Sequence, residues 1–295
     1  MSLADPTIDA VAVAARPSEA GRWATIRSAF RRPTIAIGTA VLVAWAIVAI
    51  TVPIWGWATP TEAVGERLSS PSWSHLLGTD SLGRDVLLRT LHGARQSVPA
   101  TAVVIAATAV IGGLLGAIAG FRGGWIDSVI MRASDIVLAF PPIFLAMAVA
   151  AALGPGLRNT VIAVILVWWP FYARLLRGQV LSIRNREHVE AATSVGVPRH
   201  RILRKHVLPL AFTPVLVNAT MDFGQVVILT ASLSFLGLGA APPSPEWGLM
   251  IEDGTKNFYQ WWISLGPGLA ILSISLAANF LGDGLRDHFD VRSRS

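Results

Sequence analysis

An all-α, polytopic membrane protein is the fold class this sequence predicts, and three observations carry it. Of its 295 residues, 53% are hydrophobic and 14% are charged, against about 25% charged in an ordinary soluble domain. Four uncharged runs, Thr34–Ile54, Val98–Phe121, Ile136–Leu157 and Trp261–Gly282, each reach the roughly 20 residues that cross ~30 Å of hydrocarbon as helix. The basic residues segregate. With the N-terminus placed in the cytoplasm and sides alternating, eighteen of the 24 Lys and Arg fall inside, the asymmetry of the positive-inside rule. That placement accounts for the net charge of +6 and argues against nucleic acid, the other common partner of a basic chain. Two further segments, Asn159–Ala173 and Val207–Leu238, are long enough if helix continues into their polar flanks. The expectation is six transmembrane helices with both termini cytoplasmic.

Residues 1–30 read as a cytoplasmic tail, because they carry Asp5, Asp9 and Glu19 and lack the apolar core of a secretory signal. Residues 31–54 form the first span, an uncleaved insertion signal with Arg31 and Arg32 at the inner headgroups. Residues 55–96 are expected outside, flanked by Trp55, Trp57 and Trp73, which suit an aromatic belt. The second half of that segment, Asp80–Gln96, sets Leu82, Val86, Leu87 and Leu91 among charges. That pattern predicts an interfacial helix beginning at Thr79-Asp80, whose side chains can accept free helix N–H groups.

Residues 97–287 hold the remaining five spans, and 288–295 a second cytoplasmic tail. The second span carries Gly112, Gly116 and Gly120, a four-residue spacing of small side chains that lets another helix backbone approach. The third, expected to begin near Ile130, contains Phe140-Pro141-Pro142. Consecutive prolines kink a helix and free carbonyls, so Pro141 and Pro142 are candidates for a hinge or for the lining of a path. The fourth holds Trp168-Trp169-Pro170 and ends in Arg174 and Arg177; Trp261-Trp262 are expected to anchor the sixth. Asp222 is the one acid deep within a span, a costly position that usually faces a cavity or a partner. Four readings stay open: a protonated acid, a hydrogen bond to Gln225 one turn on, a pair with a partner chain, or contact with a cationic cargo. A purely structural hydrogen bond predicts that Asp222→Asn leaves transport intact.

Several chemistries find no residues to carry them. The two lysines, Lys205 and Lys256, lie outside any Gly-x4-Gly-Lys-Ser/Thr loop, so no phosphate cradle of that type exists. No His-Glu-x-x-His or Gly-x-Ser-x-Gly occurs, and zero cysteines remove disulfides and thiolate metal sites. The chain is expected to be no enzyme and to hold no metal.

The longest basic loop, about 184–207, is different. Its pattern predicts two short helices broken at Gly196-Val197-Pro198, where Gly permits a left-handed turn and Pro starts a new helix. Glu187 and Glu190 share a face beside Ala191 and Ala192, and small residues with an acidic tip suit a groove on a soluble partner. The plainer alternative is a solvated loop whose arginines only hold topology.

The spacing Glu190-Ala191-Ala192-x3-Gly196, with Leu208-Pro209 following, resembles the EAA loop of permease subunits of ATP-binding-cassette importers. That family's general pattern has Ile two residues before Leu-Pro; this chain has His206, a residue frequent there in the dipeptide/oligopeptide branch. Leu77-Gly78-Thr79-Asp80-x-x-Gly83-Arg84-Asp85, Asp135–Pro141, Ala231–Gly239 and Leu281–Asp287 resemble the C-type permease of the same branch. The likeness runs from about Arg31 to the end. It implies a type I importer permease fold, with residues 97–287 as the permease core. It also implies partners: a second homologous permease, one or more ATPase subunits that bind the ATP and Mg, and an extracytoplasmic solute-binding protein. This chain itself would need no cofactor. By the same resemblance Glu187, Glu190, Ala191, Ala192, Gly196, Pro198 and Arg199 belong to the ATPase-docking coupling loop. Arg184, Arg186 and Arg199 are candidate ion-pair partners of the docked subunit. Asp80, Arg84 and Asp85 form either a local salt-bridge knot or a contact to an extracytoplasmic partner. The implied location is a bacterial or archaeal plasma membrane. Related permeases serve importers of nickel, haem, glutathione and oligosaccharides. The competing classes are a self-sufficient secondary transporter, which favours inverted repeats this sequence does not display, and a channel.

Overall fold

The computed structural model describes residues 33–55 and 59–292. The expected N-terminal tail, Arg31, Arg32, Trp57 and the last three residues lie outside that set. The described chain is helical almost throughout, with α1 (Pro33–Thr51), α2 (Val86–Arg122), α3 (Gly124–Leu138), α4 (Pro142–Leu153) and α5 (Leu157–Arg184) in its first two thirds. There follow α6 (Glu187–Ser194), α7 (Arg199–Ile202), a π turn (Leu203–Val207), α8 (Leu208–Phe235), α9 (Trp247–Lys256) and α10 (Trp262–Arg292). Five helical stretches are long and apolar enough to cross a membrane, and α3 with α4 makes a sixth if that bent pair is one span. Ile37, Ile47, Ile50, Leu114, Leu269, Leu272 and Phe280 point outward, a surface stable against lipid and unstable against water.

Two expectations need correction. The third span is not one kinked helix from Ile130: α3 starts at Gly124, and α4 leaves it at 91°. Pro141 takes an extended ψ of 130° and Pro142 opens α4, because a residue before proline is pushed out of the helical region. At 12 residues, α4 is about 18 Å long, so it cannot cross the hydrocarbon alone. Nor is there a separate interfacial helix at Asp80. The Asp80 carboxylate closes a turn on the Leu82 and Arg84 N–H groups, and Asp85 caps the helix by accepting from the Leu88 N–H at 2.8 Å. From Val86 the helix runs unbroken into the second span, 37 residues in all. Its apolar positions Val86 and Ala94 are fully buried against Trp247, Ile263 and their neighbours, so they serve the core and not a lipid surface. Trp262 likewise turns inward, its Nε1 donating to the Thr79 carbonyl at 3.1 Å; Trp261 stays exposed.

The glycine stripe does what its spacing predicts. A Cβ on Gly112 would stand 2.8 Å from the Tyr172 Cβ, and one on Gly120 would stand 2.9 Å from the Arg177 carbonyl oxygen. The backbones of α2 and α5 are therefore in direct contact along three turns. Around this seam α8 completes the main core through Val104, Val164, Trp168, Leu176, Val215 and Leu233. A second cluster, centred on the fully buried Trp247, joins α1, α2, α9 and α10, with Trp45 edge-on to Trp247 at 5.1 Å.

Candidate functional site

Two charged layers sit at opposite ends of α2, whose 37 residues span about 55 Å. At the Arg-rich end, α5 delivers Arg174 and Arg177 to α3. Arg177 makes a two-pronged pair with Asp127, at 2.5 and 2.7 Å, and Arg174 pairs with Asp135. Arg184 donates to the Gly120 carbonyl at 2.8 Å, tying the exit of α5 to the exit of α2. Arg184 is thus engaged inside the chain, whereas Arg186 and Arg199 remain exposed.

Immediately after this brace comes the loop. Two short helices, α6 and α7, flank a turn at Gly196, which has φ +79°, a left-handed conformation that glycine adopts without strain. Val189 on α6 is 4% exposed and joins the main core; Ala192 and Val197 pack on that core, and Ile202 on α7 is buried in it. Glu187, Glu190, Ala191, Gly196, Pro198 and Arg199 all lie on the exposed face. The two glutamates occupy the first turn of α6, where carboxylates suit the positive end of the helix dipole. Val195, 80% exposed at the tip, is an apolar knob that the sequence reading passed over. The loop rejoins α8 through the π turn, in which the Leu208 N–H reaches the Leu203 carbonyl five residues back. Single π turns of this kind recur at functional sites, and here one sits beside Pro209, which has no N–H to offer the ladder.

At the opposite end Asp80 is 1% exposed and Arg84 6%. Arg84 Nε donates to Asp80 Oδ2 at 2.6 Å. Arg89, which no sequence motif singles out, lies 3.3 Å from the same carboxylate oxygen. Its guanidinium also donates to the carbonyls of Pro60, Pro243 and Ser244, so it staples three loops together. Asp85, besides its capping role, accepts from His75 Nδ1 at 2.9 Å. Ser81 bonds Asp253 of α9 at 2.8 Å. Glu246, 2% exposed, caps α9 by accepting from the Leu249 N–H at 3.0 Å, and burial holds its carboxyl above the usual carboxylate range. The charges of Asp80 and Arg84 are thus satisfied within the chain, and the surface they support is Trp73, Leu76 and Leu82.

Between the two ends lie the remaining sequence candidates. Pro141 is exposed at the break between α3 and α4, Gln225 is exposed on α8, and Asp222 is half-buried. Asp222 turns toward α5, where Trp168 Nε1 approaches its Oδ2 at 3.5 Å. No hydrogen bond joins it to Gln225. Among the described residues no group of three or more His, Asp or Glu could hold a metal ion.

Comparison with known proteins gives these features a family. A profile described as "Binding-protein-dependent transport system inner membrane component" matches residues 112–295. The dipeptide transport system permease protein DppC of Alkalihalophilus pseudofirmus is 40% identical over 262 residues, 88% of this chain and 86% of that one. The probable D,D-dipeptide transport system permease protein DdpC of Escherichia coli is 44% identical, covering 77% of this chain and 76% of its own. The glutathione transport system permease protein GsiD of Pectobacterium atrosepticum is 39% identical over 92% of both chains. Among solved structures, an inward-facing form of the MetNI methionine ABC transporter superposes with a TM-score of 0.57 at 21% identity, over 70% of this chain and 97% of that one, a likeness of fold. On that profile match and those identities, the chain belongs to the binding-protein-dependent transport family, as its inner-membrane permease component.

Proposed function

We propose that this chain is one of two permease halves of an ATP-driven importer of dipeptides or short oligopeptides in a bacterial or archaeal plasma membrane. The observation that carries the reading is the loop between α5 and α8: its inner face is fixed to the core by Val189 and Ile202, while Glu187, Glu190 and Ala191 are offered to a partner. A loop that only held topology would need no such seat. In this reading the Arg-rich end faces the cytoplasm, and α6 docks in a groove of an ATPase subunit, with Ala191 and Gly196 allowing close approach. Arg186 and Arg199 meet acidic groups there. ATP and Mg belong to that subunit. Closure of the ATPases pushes α6, and the brace of Arg177–Asp127 and Arg184–Gly120 passes the displacement to α2, α3 and α5 as rigid bodies.

The cargo class is supported by the relatives, whose names specify dipeptides, D,D-dipeptides and glutathione, all short peptides. At the outer end the Asp80–Arg84–Arg89 cluster acts as scaffold for the surface that meets a second permease and a solute-binding protein. The 91° break at Pro141-Pro142 is the hinge of the path. Glu190→Lys tests the reading. The variant is expected to reach the membrane normally, lose its ATPase on purification and take up no peptide; normal uptake would remove the docking assignment.

A further inference from the structure

Asp222 lies 13 residues beyond Pro209 on α8, about 20 Å along the helix and within a stretch long and apolar enough to cross a membrane. A carboxylate at that depth needs strong partners, and this one has few. The Trp168 Nε1 contact of 3.5 Å is at the outer limit of a hydrogen bond. Tyr172, one turn along α5 from Trp168, places its hydroxyl beside the carboxylate. That hydroxyl is buried, the residue being 1% exposed, yet it makes no hydrogen bond of 3.5 Å or less. No Lys, Arg or His of the described residues pairs with Asp222. The nearest bases along α5, Arg174 and Arg177, are held by Asp135 and Asp127.

We propose that Asp222, Tyr172 and the Trp168–Phe171 ring pair form a recognition site for the primary ammonium group of the cargo during its passage. This deepens the peptide-import reading and rests on it. An ammonium carries three N–H donors; the half-buried Asp222 carboxylate accepts from it, and the buried Tyr172 hydroxyl behind the carboxylate steadies the acceptor. Trp168 turns its Nε1–H edge to the carboxylate, and Phe171, its ring centroid 5.0 Å from that of Trp168, extends the apolar wall beside it. Phe171 is 40% exposed and Asp222 half-buried, so the group has an open side. A divalent metal ion fits poorly, because it asks for about six oxygen ligands and one carboxylate with one phenol falls short.

The test is uptake by the complete importer in proteoliposomes, with binding protein saturated by radiolabelled Ala-Ala or by propionyl-alanine, the same skeleton without the ammonium. The wild type is expected to move Ala-Ala about tenfold faster, the scale of one charged hydrogen bond. Asp222→Asn should bring Ala-Ala down to the propionyl-alanine rate while leaving the latter unchanged. Tyr172→Phe should slow Ala-Ala a few-fold. Equal Ala-Ala rates in wild type and Asp222→Asn would overturn the site while leaving peptide import standing. An equal loss for both compounds, or a complex that falls apart, would assign Asp222 to helix packing or to the second permease. A wild type that moves neither compound would overturn the cargo reading and this site with it.

Discussion

Gly116→Ala adds one methyl group at the tightest part of the α2–α5 seam. The new Cβ would stand 2.9 Å from the Ala173 Cα and nearer still to its carbonyl oxygen. Both are backbone atoms, so no rotamer change relieves the overlap. Ordinary carbon contact begins near 3.5 Å, so the helices must part by roughly 0.5–1 Å, a gap that forfeits a quarter to a half of each contact's attraction. Overpacking of this kind costs about 1–3 kcal/mol. Gly113 supplies the control. It lies on the same helix, and its Cβ would meet only the Leu176 Cδ2 at 3.5 Å, an ordinary contact. Gly113→Ala also gains up to about 1 kcal/mol of helix propensity, so it should be neutral or slightly stabilising. The assay is the heating midpoint of each variant in mild detergent, read as the fraction still monodisperse on gel filtration. Gly116→Ala is expected to fall by about 5 °C and Gly113→Ala to hold or rise. Equal midpoints would refute the claim that these backbones touch.

Arg89→Ala should be more damaging than any exposed arginine change, because it unties the Pro60 and Pro243–Ser244 carbonyls from the Asp80 turn at once, while Asp80 keeps Arg84 as its partner. A loss of about 2–3 kcal/mol is expected for the missing charge-assisted hydrogen bonds, seen as low yield and proteolysis of the outer loops, with Arg95→Ala as the harmless comparison. Glu246 sets a pH dependence. Its folded carboxyl titrates above the ordinary value of 4.5, so the folded chain keeps a proton that the unfolded chain releases. Its contribution to stability therefore falls as pH rises from 4.5 through the raised value, then levels. Glu246→Gln, which keeps an acceptor for the Leu249 N–H, should flatten that part of the midpoint–pH curve; an unchanged slope would contradict a buried, protonating Glu246.

What could be read from the sequence was whatever local spacing controls. Gly112, Gly116 and Gly120 announce a close helix contact because one turn of helix places them in a row. The Gly196-Val197-Pro198 break and its flanking helices are likewise set by the backbone preferences of two residues. The 91° bend at Pro141-Pro142 was legible as a weak point but not as an angle, since a bend is fixed by what receives each helix: α3 is held by Arg174 and Arg177, 39 and 50 positions from their partners, and α4 packs against α5. Arg89 is the clearest miss. Its carbonyl partners lie 29, 154 and 155 positions off, and no pattern around Arg89 itself encodes them. Asp222 was singled out because a charge in an apolar run is visible to composition alone. Trp168 and Tyr172 were not joined to it, because that pairing depends on how α5 and α8 cross.

The central claim is that this chain is half of a pathway driven by a separate ATPase, and purification of the tagged chain from its native membrane in mild detergent tests it most directly. Mass spectrometry is expected to find a second, homologous permease and an ABC ATPase in stoichiometric amounts, with the ATPase lost from Glu190→Lys. Recovery of the chain alone, or as a homo-oligomer, across several detergents would contradict the account and favour a transporter or channel that works without them.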